Sequence, residues 1–229
     1  MSVSTRAESA LSPSLILYYS PRACSLACHI ALEESGLPFE ARLIRLRAGE
    51  HKTEAYRAVN GRGKIPALAV GDEVLTEAHA ILTYVAGASA SSDLLPPDGT
   101  MDRARAHEWM NFLSSTLHIA FRPLFRPNTL LDDPGMAPRF RAFGIPALRE
   151  ALLEVDRRLN GRQWALGDRY SVCDPYLLVF YIWSQREDVV GDMPELPHYR
   201  ALAARVLARD ATRRALAREG LDATALRAP

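Results

Sequence analysis

The stretch Leu15-Ile16-Leu17-Tyr18-Tyr19-Ser20-Pro21-Arg22-Ala23-Cys24-Ser25-Leu26-Ala27-Cys28-His29-Ile30-Ala31 decides the fold. Residues 15–19 form a continuous apolar run of strand length, and Leu26, Ala27, Ile30 and Ala31 then recur at helical spacing. A buried strand therefore turns into a helix at Cys24. A thiol at that point meets unpaired backbone N–H groups and the positive end of the helix dipole, both of which favour the thiolate. The same cysteine also reads as a small buried hydrophobe, the usual role of an unpaired thiol. Both readings stand on local sequence.

Working outward, Phe39, Ala41 and Leu43 alternate with Glu40 and Arg42 as a second strand, ahead of a polar, helical segment near His51–Ala58. Residues 67–70 and 73–76 flank Gly71-Asp72, a pair suited to a tight hairpin. A third helix carries Ile81, Tyr84 and Val85 on one face and meets Gly87 as a stop. This order predicts a mixed four-stranded sheet with helices packed on it. Residues 89–100, rich in Ser, Ala and Pro, read as a linker. Beyond it the patterns 101–121, 139–160, 174–189 and 199–219 are helical, the last broken near Asp210. The expected organisation is a loose tail over 1–14, an α/β domain over 15–88, the linker, and an all-helical domain over 101–229.

Composition narrows the function. In 229 residues, 28 basic side chains against 27 acidic ones leave a charge of +1, which offers no field for gathering nucleic acid or anionic membrane. The arginines at 200, 205, 209, 213, 214 and 218 alternate with Ala and Leu and read as a solvated helix face. No run approaches the ~20 apolar residues of a membrane helix, and Ser, Arg and Glu stand where a signal peptide would be hydrophobic. Three cysteines suit a reducing, cytoplasmic setting better than a disulfide framework.

Several chemical motifs fail on inspection. Gly61-Arg62-Gly63-Lys64 lacks the Ser or Thr and the spacing of a phosphate loop. His107-Glu108-Trp109-Met110-Asn111 places Asn where a zinc helix needs its second histidine, so no metal site is expected. Cys24 and Cys28 are one residue too far apart for a dithiol motif, and four-residue helical spacing holds Cβ atoms about 5–6 Å apart, too wide for a relaxed disulfide.

Four segments in order, Leu-Tyr-Tyr-Ser-Pro with Cys-Ser-Leu-Ala at 17–27, Gly-Glu-His-Lys at 49–52, Gly-Lys-Ile-Pro-Ala-Leu at 63–68 and Leu-Thr-Glu-Ala at 75–78, resemble the cytosolic glutathione S-transferases, and the first resembles their bacterial beta class. The resemblance runs from Leu15 to about Glu219. It implies a thioredoxin-like N-terminal domain followed by an all-α domain, glutathione as co-substrate with no metal, a small electrophile as second substrate, and a homodimer. It further implies a cis bond before Pro66 that turns the Ile65 backbone toward the peptide, with the α-amides at Glu77 and Ala78 receiving the γ-glutamyl carboxylate. His51, Lys52 and Lys64 are implied for the glycine carboxylate, and Tyr19 and Ser25 as hydroxyl donors near the sulfur.

By the same resemblance, Asn111 binds glutathione and His118 points near Cys24, steadying a thiolate or donating a proton. Seven residues apart, two helical turns, they are expected to share a face. Cys24 itself is implied either as a low-pKa thiol able to form a mixed disulfide or as part of the site lining. Ser171-Val172-Cys173-Asp174 resembles the family's capping box, a folding device. The chain departs from the pattern at Cys28, Gly61, Ala78 and Ile119, the last implying a less polar second-substrate site. The alternative function is a non-catalytic, partner-binding relative of the same fold.

Overall fold

The computed structural model describes residues 14–89, 93–127, 133–191 and 193–222, so the expected tail, apart from Ser14, lies outside the described residues. Strand β1 (Leu15–Tyr19) leads into helix α1 (Ser25–Ser35) and the parallel strand β2 (Phe39–Leu43). A 3-10 turn at Glu50–Lys52 precedes α2 (Glu54–Val59), then β3 (Ala67–Val70), β4 (Glu73–Thr76) and α3 (Ala78–Ala88). The sheet order is β2-β1-β3-β4, with β3 antiparallel to both its neighbours. This is the expected thioredoxin-like arrangement.

Alternation along β1 separates two layers. Leu15, Leu17 and Tyr19 join the main core with α1 and α3, while Ile16 and Tyr18 meet Tyr56, Ala67 and Ala69 on the α2 side. The hairpin between β3 and β4 turns at Gly71-Asp72, with Gly71 at φ 58°.

The second domain is helical: α4 (Met101–Phe112), α5 (His118–Phe125), α6 (Ala137–Leu159), α7 (Cys173–Ser184), α8 (Glu187–Val190), α9 (Pro197–Leu207) and α10 (Asp210–Arg218). The connection into it is anchored where it is described, since Leu94 and Leu95 are buried and the Leu94 carbonyl accepts from Val172 N–H at 2.9 Å. A helix expected to run unbroken over 101–121 is interrupted instead by a π-helical turn at Leu113–Leu117, closed by the His118 N–H on the Leu113 carbonyl. The Ser114 and Ser115 hydroxyls both bond the Asn111 carbonyl, at 3.1 and 2.7 Å, where the winding widens.

Helix α1 is buried on nearly every side, from Ser25 through Leu32. Full burial of Leu26, Ile30 and Leu32 contributes about 1.5–3 kcal/mol each. Its outer face is covered by α7 and α10. The arginines expected on a solvated face include a seam onto α1: Arg209 pairs with Glu34 at 2.5 Å, Arg214 with Glu33 at 2.7 Å and Arg218 with Glu33 at 3.1 Å.

Asp174 fixes the start of α7. Its fully buried carboxylate accepts from Ala165 N–H at 2.8 Å, Ser171 N–H at 2.7 Å and the Ser171 hydroxyl at 3.2 Å, as a capping box requires. Burial pushes its carboxyl up to about 7 against the pull of these donors. Asp174→Ala should lower unfolding free energy in urea by about 3 kcal/mol or more, because buried N–H groups lose their acceptor. Asp174→Asn, which keeps one acceptor, should lose less. A loss under about 1 kcal/mol for the alanine variant would show that the box does not hold α7.

Candidate functional site

Cys24 occupies the position just before α1, as expected from the strand-to-helix junction, and is half-buried. Its thiol donates to the Ile65 carbonyl at 3.6 Å, which joins the first and third sequence motifs. The Ile65-Pro66 bond is cis. The Lys64 carbonyl beside it is held by the Tyr56 hydroxyl at 2.6 Å and Asn60 Nδ2 at 2.8 Å. Gly63, at φ 58°, passes so near the His51 loop that an added Cβ would stand 2.6 Å from the His51 carbonyl oxygen. Only glycine fits there, and this contact sets His51 beside Lys64.

The thiol is not the low-pKa group expected from its helix position. The Cys24 and Ser25 backbone N–H groups do favour the thiolate, but burial outweighs them, and with Glu77 adding like charge the thiol is pushed up to about 11. Cys28 and Cys173 are fully buried and shifted upward by the same desolvation.

Two expected hydroxyl donors are already committed. Ser25 Oγ is buried, donates to the Ser20 carbonyl at 3.1 Å and accepts from the Ser20 N–H at 3.1 Å, closing the loop that carries Cys24. Tyr19 turns to the other side of α1, where its hydroxyl donates to the Arg218 carbonyl at 3.3 Å and its ring packs on His29. The alternation of β1 explains this, since Tyr19 belongs to the same layer as Leu15 and Leu17.

Helix α3 begins at Ala78 as expected, with Glu77 before it at φ 71°. Glu77 and Arg22, at φ 61°, are the non-glycine residues with positive φ among the described residues, and each flanks the site. Such backbone costs of order 1–3 kcal/mol and persists only where surroundings hold it. The exposed Glu77 carboxylate pairs with Arg62 at 2.8 Å.

Arg22 is held through its carbonyl, which accepts from Trp183 Nε1 at 2.8 Å. Beneath the same loop the fully buried His29 Nδ1 meets Glu219 Oε1 at 2.9 Å. Burial raises the Glu219 carboxyl, while His29 and the Arg22 backbone N–H pull it back.

Asn111 and His118 do not share a face. The π turn inserts extra winding between them, so Asn111 Oδ1 meets His79 Nδ1 at 3.1 Å beside the start of α3, while His118 packs edge-on against Trp183, with ring centroids 5.0 Å apart. Burial, Arg122 and Arg126 lower the His118 pKa, so its imidazole is neutral at pH 7. His51 is lowered as well, by burial and then by Lys52, Arg126, Lys64 and Arg57. Lys52 and Lys64 are exposed.

The structure thus brings Cys24 to Ile65 and places Ala78 against the first turn of α1 through Cys28, with Asn111 at His79 of α3 and His118 against Trp183. Sequence reasoning missed Arg22, Trp183 and Glu219. Trp183 lies in an unbroken apolar helix and carries no local signal of a loop contact. Among the described residues no group of three or more His, Cys, Asp or Glu side chains could hold a metal ion.

Comparison with known proteins agrees with this geometry. Residues 21–88 match the model of the glutathione S-transferase N-terminal domain. The chain is 35% identical over 207 residues to glutathione S-transferase GstA of Escherichia coli O157:H7, covering 90% of this chain and 98% of that one. A sphingomonad glutathione S-transferase solved in complex with glutathione is 38% identical, with TM-score 0.77 over 90% of this chain and all of that one. The bacterial beta class glutathione S-transferase of Sphingomonas chungbukensis is 34% identical, also with TM-score 0.77 over 90% and 100% of the two chains. With a relative of this identity matched along nearly its whole length, the chain belongs to the glutathione S-transferase family, in the company of its bacterial beta class.

Proposed function

We propose that the protein binds glutathione in the N-terminal domain and activates its sulfur for attack on a small electrophile. The observation that carries this reading is the 3.6 Å contact between the Cys24 thiol and the Ile65 carbonyl, which sets a helix N-terminus beside a peptide-pairing backbone edge. The γ-glutamyl carboxylate then meets the amides opening α3, its ammonium group meets Glu77, and the glycine carboxylate lies toward Lys64, Lys52 and His51. Ala78 offers no hydroxyl, which removes a contact worth roughly 1.5–3 kcal/mol to a charged group. The helix amides remain.

The state of Cys24 revises its role. Held as a neutral thiol, it serves as an S–H donor to the glutathione sulfur, and the amides of Cys24 and Ser25 supply the rest of the stabilisation. Neutral His118 accepts the proton released as that sulfur ionises. Neither Tyr19 nor Ser25 takes part. A mixed disulfide at Cys24 belongs to alkaline conditions in this scheme, since it needs the Cys24 thiolate. A homodimer acting in the cytoplasm completes the proposal, and the free thiols at positions 24, 28 and 173 are consistent with a reducing compartment. Light scattering should give about twice the chain mass.

Isothermal titration should show one glutathione site per chain. Gly63→Ala, which drives a Cβ into the His51 carbonyl, together with Glu77→Ala should weaken binding at least about tenfold, the equivalent of roughly 1.4 kcal/mol. Unchanged affinity in the double variant would move the site elsewhere, and absence of binding in the unsubstituted protein would favour a partner-binding role.

Cys24 provides a test with a defined sign. Its pKa is raised, so the reactive thiolate is scarce at neutral pH and grows with every step toward pH 11. Iodoacetamide should label Cys24 in preference to the fully buried Cys28 and Cys173, with a rate climbing steadily from about pH 7 to about pH 10. Glutathione should slow the labelling. A plateau below about pH 8 would restore the low-pKa thiolate.

A further inference from the structure

The helical domain faces the cleft with more positive charge than glutathione requires. Resting on the transferase reading, glutathione brings two carboxylates, one held by the α3 amides and one lying toward Lys64, Lys52 and His51. The acid nearest this region, Glu77, is already paired with Arg62 at 2.8 Å. Across the cleft, α5 presents His118 and, one helical turn on, the exposed Arg122, whose carbonyl accepts from Arg126 N–H at 3.0 Å. His118 is fixed over the Cys24 loop because its ring packs on Trp183, which itself donates to the Arg22 carbonyl. Ile119 beside it is 49% exposed and gives the same surface an apolar patch.

The charge is felt from both walls. Every charged neighbour that perturbs His51 is a cation, and Arg122, Arg126 and Lys64 all disfavour the charged form of His118, with Glu77 alone opposing them. A cleft of this sign attracts anions and holds them more strongly as water leaves. The Ile119 departure therefore does not make the second-substrate site merely apolar.

We propose that Arg122 makes the second-substrate site selective for anionic electrophiles, pairing with a carboxylate while the exposed Ile119 covers the apolar body. Arg122 suits the task because a guanidinium binds a carboxylate through two parallel hydrogen bonds. The electrophile's leaving group then lies toward the α1 N-terminus and the glutathione sulfur.

The test uses a matched pair, 4-chloro-3,5-dinitrobenzoate and its neutral methyl ester, each rate normalised to the uncatalysed reaction with glutathione. The sulfur forms a C–S bond, chloride leaves with the electron pair of the C–Cl bond, and the thiol proton passes by way of His118 to solvent. The unsubstituted protein should favour the benzoate over the ester in kcat/KM by about tenfold, the size of one charge-assisted contact. Raising NaCl from about 20 mM to about 500 mM should erode that preference. Arg122→Gln should remove most of it through the KM for benzoate, and Arg122→Glu should invert it. A preference insensitive to salt and to both substitutions overturns the proposal. So does a rise in glutathione KM shared by both electrophiles, which would assign Arg122 to glutathione. Absence of glutathione-dependent turnover of either compound overturns the transferase reading and this selectivity with it.

Discussion

Helix α1 has no free face, and that constraint organises the molecule. It packs on β1 and α3 of the first domain and is closed over by α7 and α10 of the second, with Leu26 and Ile30 on the stripe that ends at Glu33 and its α10 arginines. A helix buried all round cannot shift without disturbing both domains. The thiol at its start is therefore held by the packing of the entire chain. The buried His29–Glu219 contact and the Glu33 and Glu34 ion pairs lock the same helix from the C-terminal end.

That enclosure also explains the chemistry. A helix N-terminus open to solvent would be expected to lower a thiol pKa, yet here burial is the larger effect and keeps Cys24 protonated. The same desolvation acts on His118 in the opposite sense and keeps its imidazole neutral. On the proposed function, neutral donors and backbone dipoles would stabilise an incoming thiolate without competing for the negative charge. Of the two non-glycine residues with positive φ among the described residues, Arg22 turns its carbonyl to the indole of Trp183 and its N–H to Glu219, while Glu77 opens α3.

Much of this was legible in the sequence where a local pattern carried it. The apolar run at 15–19, the hairpin around Gly71-Asp72 and the helix starting at Ala78 all formed where periodicity and turn chemistry placed them. Ile65-Pro66 and Asp174 were legible through motif resemblance, although the thiol that meets the Ile65 carbonyl comes from Cys24 in another motif. Tyr19 and Ser25 misled because a hydroxyl in a motif does not declare its partner: one is taken by Arg218, about two hundred positions away, and the other by Ser20. Arg22, Trp183 and Glu219 were silent for the same reason. Their contacts are long-range, and nothing in periodicity encodes which carbonyl an indole will meet.

The π turn at Leu113–Leu117 has a consequence for how the chain tolerates change in length. It is one residue of surplus winding stored inside an otherwise continuous helix. Deleting a single residue there would let the segment relax to regular α geometry while the helix after it keeps its orientation, because five residues at π pitch turn the chain about as far as four at α pitch. His118 would keep the Trp183 edge, and Pro123, which approaches Gly144 so closely that a Cβ added to the glycine would stand 2.5 Å away, would keep its seat against α6. Point substitutions in this turn alter packing by degrees, and loss of one residue trades the wide turn for a regular one. Natural variation there should accordingly include loss of one residue as well as replacement.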